Sequence, residues 1–217
     1  MSFTQPPELL TAITDAAIIP FAVAVAVIIG RAKDRGYLLL WRLLLIAMCV
    51  SGAGGFIAHG IVLTEKASTA VWIPLQIAML ATVLLFLCAA VWDLIGKKPC
   101  RIFFLSVFAA FILMSALTAV LMLTGTDSFD IFLVTAAMCV GSCLIVYLLL
   151  IYRRKRFAVF MLAGIGVQAV GILPRLLGLQ SVVAIGDFDG NSIYHTAAII
   201  SLFVFCAGIL RRDREDA

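Results

Sequence analysis

Residues 102–124, IFFLSVFAAFILMSALTAVLMLT, contain no charged side chain along their whole length. A helix rises about 1.5 Å per residue, so about 20 apolar residues are enough to cross the roughly 30 Å hydrocarbon core of a bilayer. Other stretches of similar length and composition fill most of the chain. The predicted helices lie at residues 9–30, 37–63, 69–95, 102–124, 130–152, 157–179 and 191–210.

The composition supports this interpretation for the whole chain. Hydrophobic residues make up 64% of the 217 residues and charged residues only 13%, whereas soluble domains carry about 25% charged residues. The predicted loops are short and leave no room for a soluble domain. We therefore expect an all-α protein in which residues 1–217 form a single bundle of seven transmembrane helices.

The basic residues indicate how this bundle is oriented. Of the 16 lysines and arginines, 13 lie in the loops after the first, third and fifth helices or after the last one, and Arg42 lies near the start of the second helix at the same end. Short loops rich in lysine and arginine stay on the cytoplasmic side. We expect an integral protein of the cytoplasmic (inner) membrane with its N-terminus outside. These bases would meet lipid headgroups, which argues against nucleic acid as a partner.

Polar side chains inside transmembrane helices are costly, so they are candidate functional residues. Most of them lie in the outer halves of the predicted helices. Pro20, Pro74 and Pro174 lie there too, and each leaves a backbone carbonyl one turn earlier without its helical hydrogen bond. We expect helices interrupted at these prolines and a cavity among the polar groups around them. The candidate residues are Asp15, His59, Trp72, Gln76, Arg175, Asn191, Tyr194 and His195.

Three of these candidates have side chains that bind metals. A catalytic zinc takes three nitrogen or oxygen ligands and keeps one position for water, and Asp15, His59 and His195 could supply such ligands. The zinc would lower the pKa of that water towards about 7. Without a metal, Asp15 and His59 could act as orienting carboxylate and general base. The remaining candidates would line a substrate pocket.

Structural interpretations compete with this chemistry. Asp15 could pair with Arg175 or lie at the headgroup level, Arg175 could extend outward, and either histidine could make a packing hydrogen bond. His59 and His195 could also ligate a b-type haem. In the cytoplasmic half we expect only an ordinary interfacial pair between Asp93 and Lys97, which are four residues apart.

Short motifs resemble an uncharacterised bacterial family of seven-helix membrane proteins. They are Glu8 followed by Thr14-Asp15, then Gly54-Gly55 with His59-Gly60, and Phe188-Asp189-Gly190-Asn191 leading to Tyr194-His195. More remotely, the layout resembles the superfamily of alkaline ceramidases and progestin/adipoQ receptors. That resemblance implies seven helices, a zinc ion held by one histidine on the second helix and two on the seventh, and hydrolysis of lipid amides.

Only some residues of that superfamily's zinc site have counterparts in this sequence. His59 matches the histidine of the second helix, and His195 matches the first histidine of the seventh. The second histidine of that pair would fall at Ile199, the superfamily's serine would fall at Gly55, and its third-helix aspartate has no counterpart near Gln76. Asp15 could take the place of the missing ligand.

These observations lead to one main functional hypothesis and two alternatives. The main hypothesis is a membrane-embedded hydrolase, with or without a metal, that acts on a lipid or lipid-like substrate reaching the outer pocket from the bilayer. The first alternative is a non-catalytic protein that binds a lipid or small molecule, or serves as a sensor or a subunit of a membrane complex. The second is the haem protein.

Overall fold

The computed structural model describes residues 6–96, 101–126, 128–176 and 189–215, and the side chains of residues 6, 7, 101 and 174–176 lie outside that description. These residues form seven α-helices, which confirms the expected all-α architecture. In chain order the helices are α1 (Pro6–Ile29), α2 (Arg35–Gly60), α3 (Glu65–Ile95), α4 (Arg101–Leu123), α5 (Phe129–Tyr152), α6 (Phe157–Leu176) and α7 (Gly190–Glu215).

Several helix ends differ from the predicted ones for local reasons. α2 ends at Gly60 because the next residue, Ile61, is already extended. α3 begins at Glu65, earlier than predicted, because the Thr64 side chain caps it by accepting from the Ala67 N–H at 3.4 Å. α7 continues five residues past its predicted end at residue 210, to Glu215. The predicted end of the sixth helix, at residue 179, lies outside the described residues.

The expected interruptions at the prolines are not seen where the structure describes them. Pro20 lies inside the continuous helix α1, and Pro74 lies inside the continuous helix α3. Pro174 belongs to α6, but its side chain lies outside the described part of the chain. The cavity described below is therefore formed between helices and does not depend on a broken one.

Six of the helices form a closed ring. Neighbours pack in the order α1, α2, α3, α5, α6 and α7, and α7 returns to α1. α4 packs mainly against α3, outside the ring. The loops alternate between the two ends of this bundle. One end, called the cavity end, is where α1, α3, α5 and α7 begin; the other, called the basic end, carries the clustered basic residues.

The outer surface of the bundle is strongly apolar. Large hydrophobic side chains such as Val27, Leu113 and Met138 are about 70% exposed. Among the described residues, every helix except α6 is long and apolar enough to cross a membrane, and α6 contributes a shorter apolar segment at Phe157–Leu173.

An aromatic core fills the ring toward the basic end. Trp41 of α2 lies at the centre, with the rings of Phe86 and Phe205 each 5.9 Å from its own. Phe86 also contacts Tyr147 of α5 at 6.2 Å. This aromatic layer joins α2, α3, α5 and α7, and it lies between the basic end and the cavity end.

Candidate functional site

A cavity of about 460 Å³ lies at the cavity end of the ring. All seven helices contribute to its walls, which are mostly apolar and include Met48, Met79 and Phe132. The structure places around it all the sequence-predicted site residues whose side chains it describes: Asp15, His59, Trp72, Gln76, Asn191, Tyr194 and His195. Arg175 belongs to α6, but its side chain lies outside the described part of the chain.

The carboxylate of Asp15 and the imidazole of His195 form a close pair across α1 and α7. Asp15 Oδ1 lies 3.3 Å from His195 Nε2, and the two side chains are only 8% and 14% exposed. The other carboxylate oxygen, Oδ2, is buried and has no hydrogen-bond partner among the described residues. The pair is therefore held at the wall of the cavity, and one of its two carboxylate oxygens is unpaired within the described part of the chain.

Thr14 fixes the orientation of the His195 ring. Its hydroxyl donates to the Thr11 carbonyl oxygen at 2.8 Å, and its oxygen lies 3.1 Å from His195 Nδ1. A hydroxyl has one proton, so Thr14 accepts from a protonated Nδ1. His195 Nε2 then faces Asp15 either as a donor to the carboxylate or as an acceptor from the carboxylic acid. One proton is shared between the two groups in both cases.

Two glycines of α2 make room for Asp15. A Cβ at Gly52 would lie 2.7 Å from the Asp15 carbonyl oxygen, and a Cβ at Gly55 would overlap the Asp15 carboxyl group. Small residues let transmembrane helices approach closely, and here they bring the backbone of α2 against the functional face of α1. The serine that the remote resemblance would place at Gly55 has no room in this arrangement.

A second hydrogen-bonded group supports the pair from the start of α7. Asp189 caps the helix by accepting from the Ser192 N–H at 2.8 Å. Its Oδ1 also accepts from the hydroxyls of Ser192 at 2.8 Å and Thr11 at 2.9 Å. Burial raises the pKa of Asp189, but these hydrogen bonds and the nearby His195 outweigh it, so the pKa lies below its usual value. Asp189 is therefore a charged anchor that ties α7 to α1.

His59 occupies a different part of the cavity wall. Its ring meets Trp72 of α3 edge to face, with 5.5 Å between the ring centroids. Gln76, one turn further along α3, accepts from the buried Ser128 hydroxyl at 2.6 Å. The structure thus brings Asp15 and His195 into direct contact, whereas His59, Trp72 and Gln76 line the cavity from α2 and α3.

Zinc does not fit the donor atoms as they are arranged. Both ring nitrogens of His195 are engaged, one with Asp15 and one with Thr14. Within the described ranges, no group of three histidine, cysteine or acidic side chains is placed to hold a metal ion. The chemistry of this site is therefore considered without a metal, and haem ligation by His59 and His195 stays a prediction.

Sequence reasoning missed several polar residues of the site. Thr14 contacts His195, and Thr11 donates to Asp189. Gln168 lines the cavity and donates to the Ser201 hydroxyl at 2.9 Å. Threonine and serine are common in membrane helices, where they often bond their own backbone. The one usable signal was the spacing of Thr11, Thr14 and Asp15, which fall on one side of α1.

Asp93 is buried and has partners that were not predicted. Asp93 lies in a buried cluster at the basic end, where its Oδ1 accepts from Arg212 Nε of α7 at 2.6 Å. Its Oδ2 accepts from the hydroxyls of Tyr37 at 3.1 Å and Tyr147 at 3.2 Å. Lys97, the predicted partner, lies outside the described residues.

Asp34 extends this cluster to the start of α2. Its Oδ2 lies 3.5 Å from an Arg212 guanidinium nitrogen and accepts from the Trp92 indole N–H at 3.2 Å. The Arg212 guanidinium also lies over the Tyr37 ring, 3.9 Å from its centroid. One network of charged and polar side chains therefore joins α2, α3, α5 and α7 at the basic end.

The fold and the cavity define an all-α protein built as a ring of apolar helices around a polar pair. A family model described as a family of unknown function (DUF6962) matches residues 10–214, so the chain belongs to that family. No curated protein and no solved structure matches the chain.

Proposed function

We propose that this chain is an integral membrane protein, with its N-terminus outside, that binds an amphipathic or lipid-like small molecule at Asp15 and His195. The observation that carries this proposal is the Asp15–His195 pair, buried at the wall of an otherwise mostly apolar cavity. Ligand pockets commonly combine apolar walls with a few fixed polar groups. The apolar helix surfaces and the concentration of basic residues at one end support the membrane placement.

The hydrogen bonds of His195 favour binding over catalysis. A general base needs a ring nitrogen directed at the proton that it removes. Here Nδ1 donates to Thr14 and Nε2 faces Asp15. The imidazole therefore orients the carboxylate and shares a proton with it. Apolar side chains such as Met79 and Phe132 would contact the body of the ligand.

We expect Asp15→Asn and His195→Gln to bind less lipid-like ligand than the unchanged protein. Both changes keep the side-chain size and disturb the shared proton. Purified protein in detergent is incubated with a total bacterial lipid extract and washed, and the retained small molecules are identified by mass spectrometry. Thr196→Val, next to His195 but on an exposed position of α7, is the matched control. Equal retention by all four proteins would contradict the proposal.

Hydrolysis of a lipid amide or ester is a second candidate function, favoured by one observation. Thr14 Oγ1, His195 and Asp15 are connected in the order of a nucleophile, a base and an orienting carboxylate. Against it, Thr14 is buried, is not among the described residues that line the cavity, and donates its proton to Thr11.

Kinetics separate the two functions. If Thr14 is the nucleophile, Thr14→Val abolishes turnover of lipid amides and esters while Thr14→Ser retains it. If the protein only binds its ligand, no turnover above background is expected for any variant. Metal analysis of the same preparations tests the zinc hypothesis separately. Near-stoichiometric zinc that is lost in both His59→Ala and His195→Ala would show that these donors rearrange around an ion.

A further inference from the structure

The charges around the cavity restrict the kind of ligand it accepts. The described lining residues include a single carboxylate, that of Asp15, and two histidines, but no lysine or arginine. Aromatic rings, among them Trp72, Tyr194 and Phe129, line the same cavity, and such rings attract cations at their faces. The described part of the wall therefore offers one acidic group to a cationic headgroup, while the side chain of Arg175 lies outside that part.

The proton shared by Asp15 and His195 balances this carboxylate. Because Nδ1 of His195 is already protonated toward Thr14, the proton at Nε2 decides the net charge of the pair. With that proton the pair is neutral overall, and without it the pair carries one negative charge. An uncompensated charge in such a buried position is costly, so loss of the proton requires another cation nearby.

Other titratable groups face this pair from the elements packed around it. α1 packs against α2 and α7. α2 brings His59 to the same cavity, and α7 brings Tyr194 as well as His195. Asp189 approaches α1 through Thr11, while Glu8 is exposed at the start of α1 itself. Of the three acidic side chains Asp15, Asp189 and Glu8, Asp15 is the one that lines the cavity.

We propose that the ligand is a hydrophobic amine, which binds as its ammonium ion at Asp15 and displaces the proton shared with His195. This rests on the proposed binding function and specifies its ligand class. The charge balances, since one ammonium enters the cavity and one proton leaves to the solvent. The ammonium takes the place of the shared proton as the charge partner of the Asp15 carboxylate, one of whose oxygens has no hydrogen-bond partner among the described residues. The apolar part of the amine lies among the methionine and aromatic side chains.

The test uses octylamine, octanol and octanoate, which share one chain and differ in headgroup charge. Binding to the full-length protein in lipid nanodiscs is measured by calorimetry in buffers of different ionisation enthalpy. We expect octylamine to bind most tightly and to release about one proton, so that its affinity rises by up to about tenfold for each pH unit. Octanol should bind without releasing a proton, and octanoate should bind most weakly.

The outcomes separate this inference from the proposed function. Asp15→Asn should lose the proton release and the preference for the amine while it still binds octanol, and Thr196→Val should behave like the unchanged protein. Octanol or octanoate binding as tightly as octylamine, or octylamine binding without proton release, would overturn the inference and leave the binding function standing. If none of the three binds the unchanged protein, the proposed function itself fails. The proton count is made on the unchanged protein and needs no variant to fold.

Discussion

Replacing Arg212 with alanine is expected to lower the free energy of unfolding by about 3–5 kcal/mol, as when one partner of a buried ion pair is removed. The Arg212 side chain is 7% exposed, and that of its partner Asp93 is 0% exposed. Its loss leaves the Asp93 carboxylate with the hydroxyls of Tyr37 and Tyr147 but without the cation. Unfolding of the purified protein in detergent, followed by circular dichroism, measures the effect.

The neighbouring arginine provides a matched control. Arg211 is 38% exposed and pairs with Glu215 one turn away, so Arg211→Ala is expected to change stability by less than about 0.5 kcal/mol. Combining Arg212→Met with Asp93→Asn should cost less than the sum of these two changes made singly, because a neutral amide at position 93 no longer needs the cation that Arg212 supplies. Equal stability of the Arg211 and Arg212 variants would show that the cluster does not stabilise the bundle.

Replacing Gly55 with alanine is expected to disrupt both the site and the packing beneath it. The added methyl group would overlap the Asp15 carboxyl group, so Asp15 must move away from His195 or α2 must move away from α1. Overpacking of this kind costs about 1–3 kcal/mol. Binding of octylamine should be lost as well, because the pair that recognises the ammonium no longer forms. Calorimetry and thermal unfolding measure the two effects on one sample.

Gly141 of α5 is the control for this substitution. A Cβ at Gly141 has no neighbour within 4 Å, and alanine is favoured over glycine inside a helix by up to about 1 kcal/mol. Gly141→Ala should therefore keep full binding and equal or greater stability. If Gly55→Ala binds octylamine as well as Gly141→Ala does, the close approach of α2 to Asp15 has no role in recognition.

The helices were predictable because each one needs a long apolar segment, and that requirement is visible in the sequence. Asp15 and His195 were also identifiable, since an ionisable side chain far inside such a segment stands out. Their direct contact was not predictable. α1 and α7 are far apart in the sequence, and only the closure of the ring makes them neighbours.

The cluster around Arg212 was hidden for a different reason. Side chains that face lipid and side chains that face the core are both apolar, so periodicity does not show which side of a membrane helix points inward. Arg212 resembled one more basic residue at a helix end, and Asp93 had Lys97 as a candidate partner one turn away. The actual pair joins residues 119 positions apart, a distance at which a single sequence gives no pairing signal.

The place of α7 in the ring also affects the order in which the protein can be completed during synthesis. Six helices leave the ribosome before α7 does, yet α7 supplies His195 to one end and Arg212 to the other. Until it arrives, Asp15 and Asp93 are carboxyl groups in nascent helices without these partners. A chain arrested before α7 would therefore carry two acidic groups in its helices without the basic side chains that pair with them in the complete bundle.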